Sequence, residues 1–184
     1  MKLIKRIALI IFILVTAAYL FRGPLYRLLI TYKSIGTRTN YPATNKKLVG
    51  YIQVNSDSTK DITAIIKQSL SITSHQLCFT ATKNDIDPNK LIDSKTAHCV
   101  GYAAFFATTC NYLLQKNDLS DQWIAQPRVG QLYLLGININ HCINKPFYKD
   151  HDFVTIENRN TGETFAVDPT VNDYFNIDFI KYKY

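Results

Sequence analysis

Acidic residues are missing from the first 47 positions of this 184-residue chain, which hold nine Lys or Arg and no Asp or Glu. The remaining twelve basic residues and all fourteen acids fall in residues 48–184, a net of −2 there against +7 for the whole chain. The basic pI of about 9.2 therefore belongs to the amino-terminal arm. That excludes a broadly basic nucleic-acid surface on the part able to build a core, and it suits the arm to anionic lipid. Paired cysteines are missing too: Cys78, Cys99, Cys110 and Cys142 stand singly. His75, Cys78, His141 and Cys142 consequently lack the paired spacing of a structural zinc site. A Cys78–Cys142 disulfide stays open for an oxidising compartment. No cysteine follows the amino-terminal apolar run to carry a lipid. Internal repeats and low-complexity tracts are absent as well, and no cofactor or metal is expected.

What is present begins with a membrane signal. Lys2, Lys5 and Arg6 form a short positive segment, and residues 7–21 carry neither charge nor proline. Fifteen residues span about 22 Å as a helix, short of the roughly 30 Å hydrocarbon core. The run suits a signal's apolar region or a minimal anchor with snorkelling Lys5, Arg6 and Arg22. Thr16, Ala17 and Ala18 lie inside the run, so a cleavage site is unconvincing and residues 1–30 read as an uncleaved anchor. Arg22, Arg27, Lys33 and Arg38 on the far flank weigh against the positive-inside signal of Lys2, Lys5 and Arg6. The short positive start favours an extracytoplasmic domain.

Residues 31–47 read as a basic polar linker, and 48–184 as one domain large enough for a core. Residues 48–54 suggest a strand. Ser58 or Thr59 suits the cap of a helix carrying Ile62, Ile65, Ile66 and Leu70 on one face. Asp87-Pro88 marks a turn, and residues 130–137 suggest the first strand of an antiparallel sheet. The fold class is α+β.

The chain is organised around residues 96–102, Thr-Ala-His-Cys-Val-Gly-Tyr, which open a helical run to about Leu114. Val100, Ala103, Ala104, Ala107, Cys110 and Leu114 recur at helical spacing. Ser94 or Thr96 is the expected N-cap. Gly101 and the alanines would let the helix approach a sheet closely. A cysteine in the first turn meets the positive end of the helix dipole, which with a nearby imidazolium favours thiolate. Cys110 lies about 16 Å further along, too far to pair with Cys99, and reads as core.

A hairpin supplies the partners. His151 heads one β-rich segment, Asp168 ends another, and residues 158–163 between them are turn-rich. A loop centred on 159–162 places Asp168 opposite Phe153, making it the diagonal neighbour of His151 on the same face. One residue of slip would send the carboxylate to the other face. His98 competes for the base role, but adjacent helical positions do not face each other. His141 has no acid placed to orient it. Trp123 reads as core.

These residues resemble the transglutaminase-like branch of the papain-like cysteine enzymes. That likeness rests on a helix-opening Cys99, a strand beginning His151-Asp152-Phe153-Val154, and a hydrophobic strand ending Asp168-Pro169-Thr170, within residues 77–174. Phe153 stands where the family often has tryptophan, and His98 where a small residue is usual. The resemblance implies a papain-like core, with the cysteine helix packed on the sheet bearing His and Asp. It also implies a Cys99–His151–Asp168 triad acting on protein or peptide amides through a thioester, by hydrolysis or by transfer to an amine. The Cys99 backbone N–H is the candidate oxyanion donor. The alternative is a catalytically silent binding module tethered to the membrane.

Overall fold

The computed structural model describes residues 2–82, 84–142 and 149–183. Its chain begins with α1 (Lys2–Leu20), whose large side chains stay exposed, Phe12 at 68% and Leu14 at 63%. No single helix among the described residues is long and apolar enough to cross a membrane. Residues 4–20 together with α2 (Arg22–Leu29) meet that test as a pair bent by 75°.

β1 (Ile30–Thr37) follows α2 directly. It is succeeded by α3 (Lys46–Val54), α4 (Ile62–Gln76), β2 (Cys78–Phe79), α5 (Pro88–Ser94), β3 (Thr96–Ala97) and α6 (Cys99–Lys116). The carboxy-terminal half is β4 (Trp123–Leu134), β5 (Ile137–Asn138), β6 (His151–Asn158), β7 (Thr164–Val167), α7 (Pro169–Phe175) and β8 (Tyr182–Lys183). The architecture is α+β. Its main sheet runs β7-β6-β4-β1-β8, antiparallel except for the parallel β1–β8 pair, with β5 beside β4.

Two apolar layers cover the sheet's faces. On one side α6 packs across β4 and β6 with α4 behind it, joining Val154, Ile156 and Val167 to Phe105, Phe106 and Leu113. On the other, Tyr32, Phe153, Ala166 and Ile180 form a smaller cluster under Tyr26 of α2.

Four expectations change here. The supposed linker 31–47 contributes β1, paired with β4 from Ile30↔Leu134 to Thr37↔Arg128, so sheet and core begin before residue 48. The anchor segment 1–30 also divides, because α2 is bound to the domain: Arg22 Nε donates to the Phe175 carbonyl at 2.8 Å and Arg27 to Phe179 at 3.2 Å. The strand expected at 48–54 is the helix α3, with Leu48 and Ile52 buried at i and i+4. Asn45 caps it by accepting from the Lys47 N–H. Asp61, not Ser58 or Thr59, caps α4.

The hairpin register is the expected one: Val154↔Val167 and Thr155↔Ala166 extend to Phe153 opposite Asp168. Gly130 pairs with His151 on β4. A Cβ there would sit 2.6 Å from the Phe153 ring and 2.9 Å from the His151 carbonyl oxygen. Phe153 is fully buried and cannot yield. Gly130→Ala should therefore cost about 1–3 kcal/mol through overpacking, read as a lower denaturation midpoint. An unchanged midpoint would refute this account of the site's foundation.

Candidate active site

Asp168 is the most constrained side chain of the site. Fully buried, it caps α7 by accepting from Thr170 N–H at 3.0 Å and Val171 N–H at 3.1 Å through Oδ1. Its Oδ2 accepts from His151 Nε2 at 2.6 Å and from the Tyr32 hydroxyl at 2.7 Å. Burial pushes this carboxyl's pKa up, but the charge and hydrogen bond of His151, with the Tyr32 and backbone donors, bring it below the usual value. Turn cap and imidazole orienter are thus one residue.

His151 heads β6 with about a quarter of its side chain exposed, 24%. Burial alone would lower its pKa. The Asp168 charge and hydrogen bond outweigh that, helped by a hydrogen bond to the Cys99 side chain, and the net direction is well upward. With Nε2 committed to Asp168, Nδ1 is left for the sulfur. The Tyr32 ring stands 6.2 Å from the imidazole and 5.4 Å, edge-on, from Phe153, fixing the ring from behind.

Cys99 is the first residue of α6 and 7% exposed. Its N-cap is His98, not Ser94 or Thr96: the imidazole Nδ1 accepts from the Val100 N–H at 3.3 Å. The rival histidine is therefore occupied in building the helix start, and burial holds its pKa down. Parallel pairing of β2 with β3 fixes the approach to the cap. Gly101 packs not on the sheet but on Ala97, where a Cβ would come within 2.8 Å, and on Leu91 of α5. At this first helical position the Cys99 N–H has no intrahelical acceptor and is free to meet an oxyanion.

Beside the thiol lies a group the sequence did not single out for the site. Arg38, just after β1, makes a two-pronged ion pair with fully buried Asp152, at 2.9 and 3.1 Å. Its guanidinium also sits in the electrostatic field of Cys99. The Arg38–Asp152 pair is thereby electrostatically coupled to the site.

The geometry brings Cys99, His151 and Asp168 into one constellation and adds Tyr32, Tyr26 and Arg38. Tyr32 spends its proton on Asp168, so Tyr26, 2.5 Å away, donates to Tyr32. Only the alternation of Ile30 and Tyr32 could have hinted at this strand. Tyr32→Phe deletes one hydrogen bond to a buried carboxylate and strands the Tyr26 hydroxyl. We expect kcat to fall about 10- to 100-fold with little change in KM, since such a bond contributes about 1.5–3 kcal/mol. An unchanged kcat would reduce Tyr32 to a packing residue.

The remaining sequence candidates fall outside the constellation. His141 is exposed in a short 3-10 turn, Asn140–Cys142. Cys110 is buried in the core, its thiol pushed up to about 12. Trp123 is core, packed on Phe165 at 5.7 Å. Cys78 is free, and the side chain of Cys142, needed to judge their pairing, lies outside the described residues. No group of three or more metal-ligating side chains occurs among the described residues. Compared with protein-family models, curated proteins and solved structures, the chain matches none.

Proposed function

We propose that this chain is a membrane-anchored, transglutaminase-like cysteine enzyme that acts on protein or peptide amides through a thioester. The observation that carries the reading is one imidazole bonded at 2.6 Å to a buried carboxylate and electrostatically coupled to the Cys99 side chain. In this reading Cys99 Sγ attacks the amide carbonyl as His151 takes its proton, forming the C–S bond. Collapse of the tetrahedral intermediate breaks the C–N bond, and His151 returns the proton to the leaving amine. Water or a second amine, deprotonated by His151, then cleaves the thioester. The Cys99 N–H, with Arg38 nearby, favours the negatively charged intermediate. The papain-like core is supported by α6 lying across the strand that bears His151.

Anchoring by α1 is supported by its row of exposed apolar side chains. Three positive charges of the far flank, Arg22, Arg27 and Arg38, are spent on contacts within the domain. That lightens their weight against Lys2, Lys5 and Arg6 as cytoplasmic charges and favours an extracytoplasmic domain.

Iodoacetamide labelling followed by peptide mapping tests the chemistry. Cys99, although nearly buried, should be alkylated faster than exposed Cys78, and His151→Ala should abolish that advantage. Preferential labelling of Cys78 with Cys99 inert would overturn the enzymatic reading and leave a tethered binding module.

A further inference from the structure

Away from the thiol, the chain exposes a second surface. The tip of the β4–β5 hairpin places Leu135, φ +49°, and Gly136, φ +88°, at the two turn positions. A left-handed conformation at such a position favours Asn, Asp or Gly. This chain holds a leucine there, 71% exposed, with Ile137 beside it at 67%. The Leu135 N–H donates to the Leu29 carbonyl at 2.9 Å, tying the tip to the end of α2. Leu28 of that helix is 68% exposed. Leu28, Leu29 and Leu135 line one open cavity of about 280 Å³, whose rim carries Lys33, Lys181 and Lys183 and no acid. Lys33 lies 4.4 Å above the Tyr133 ring, which holds its charge at that rim.

We propose that this face docks on an anionic lipid bilayer, the leucines and Ile137 entering the headgroup–acyl boundary and the three lysines meeting lipid phosphates. Scattered exposed leucines need no explanation, but a joined apolar patch ringed by one sign of charge does. Apolar side chains flanked by lysines are the composition of interfacial membrane contacts. A two-fold contact between copies would set three lysines against three lysines. Continuity points the same way, because Phe21 alone separates α2 from α1. The proposal deepens the anchored reading and rests on it for how the domain is brought to the bilayer. Docking at this face would hold the Tyr26–Tyr32–Asp168 contacts, built on the α2–β1 segment, close to the membrane plane.

The test uses the full chain in vesicles of phosphatidylcholine and phosphatidylglycerol with brominated acyl chains. Trp123, nearly buried, is the internal reference, and Leu135→Trp adds a reporter at the exposed tip. The Leu135→Trp chain should show several-fold greater bromine quenching than the wild type, with a blue-shifted tip emission. Adding Lys33→Glu, Lys181→Glu and Lys183→Glu should remove the difference while the chain still floats with the vesicles. Tip emission quenched no more than Trp123, quenching indifferent to the charge reversals, or a blue shift already present without vesicles would each overturn the docking proposal. Failure to float is a separate result: it overturns anchoring by α1, while tip quenching still reports on docking.

Discussion

Cys99→Ala is expected to remove turnover of any amide substrate the wild type accepts while leaving the fold intact. The loss should be on the order of 10⁴–10⁶-fold in kcat, the range found when a covalent nucleophile is deleted. Cys110 cannot replace it, being fully buried further along α6 with its thiol pushed up to about 12. Stability should change little, because alanine is a good helix former and the substitution removes a single heavy atom. Cys78→Ala, altering an exposed and free thiol, is the matched control and should keep full activity. The measurement is kcat/KM on a peptide or amine-acceptor substrate, with Tm taken in parallel. Equal turnover by Cys99→Ala would end the thioester mechanism whatever the geometry of the other residues.

How much of this site can be read from the residues depends on how local each part is. The hairpin register is local: turn-formers at 158–163 fix which positions face each other, and Val154↔Val167 follows from counting. His151 and Asp168 are consequently legible together. The cysteine helix is legible from its period, but not its cap, because an imidazole nitrogen substitutes there for the usual hydroxyl or carboxylate oxygen. Tyr32 and Arg38 could not be assigned to the site from local pattern. The strand that bears Tyr32 and leads into Arg38 pairs with residues about a hundred positions away, as in Tyr32↔Leu132, and its own polar residues resemble a linker. β4 begins earlier than its apolar run indicates because Pro127 interrupts the pattern of Trp123 to Gly130. The helix α3 reads as a strand in sequence because Val49, Tyr51, Ile52 and Val54 favour β-structure, whereas burial of Leu48 and Ile52 on one helical face decides the matter. Long-range pairing thus supplies the part of the site that local pattern cannot, and it joins the amino-terminal arm to the chemistry.

Asp168→Asn should be nearly as damaging to activity as loss of the nucleophile, and more damaging to the fold. The carboxylate accepts four hydrogen bonds, from His151, Tyr32 and the N–H groups of Thr170 and Val171. An asparagine must turn an NH₂ towards one pair of those donors, so either α7 loses its cap or His151 loses its orienter. By analogy with removal of the orienting acid in other triads, kcat should fall about 10⁴-fold. Leaving one side of a buried pair unmatched costs about 3–5 kcal/mol, and the partial exposure of His151 places this case near the lower figure. The pH dependence makes the prediction specific. The pKa of Asp168 is lowered in the fold, so its contribution is complete above the unfolded value near 3.9 and is lost as pH falls through the folded one. That of His151 is raised, so its contribution is complete below about 6.5 and is lost as pH rises through the folded value. The stability difference between wild type and Asp168→Asn should therefore be largest between about pH 4 and 6.5 and shrink on both sides. Denaturant unfolding of both proteins within that range and on either side of it measures the change. A difference that fails to shrink above pH 6.5 would mean that Asp168 acts only as the cap of α7.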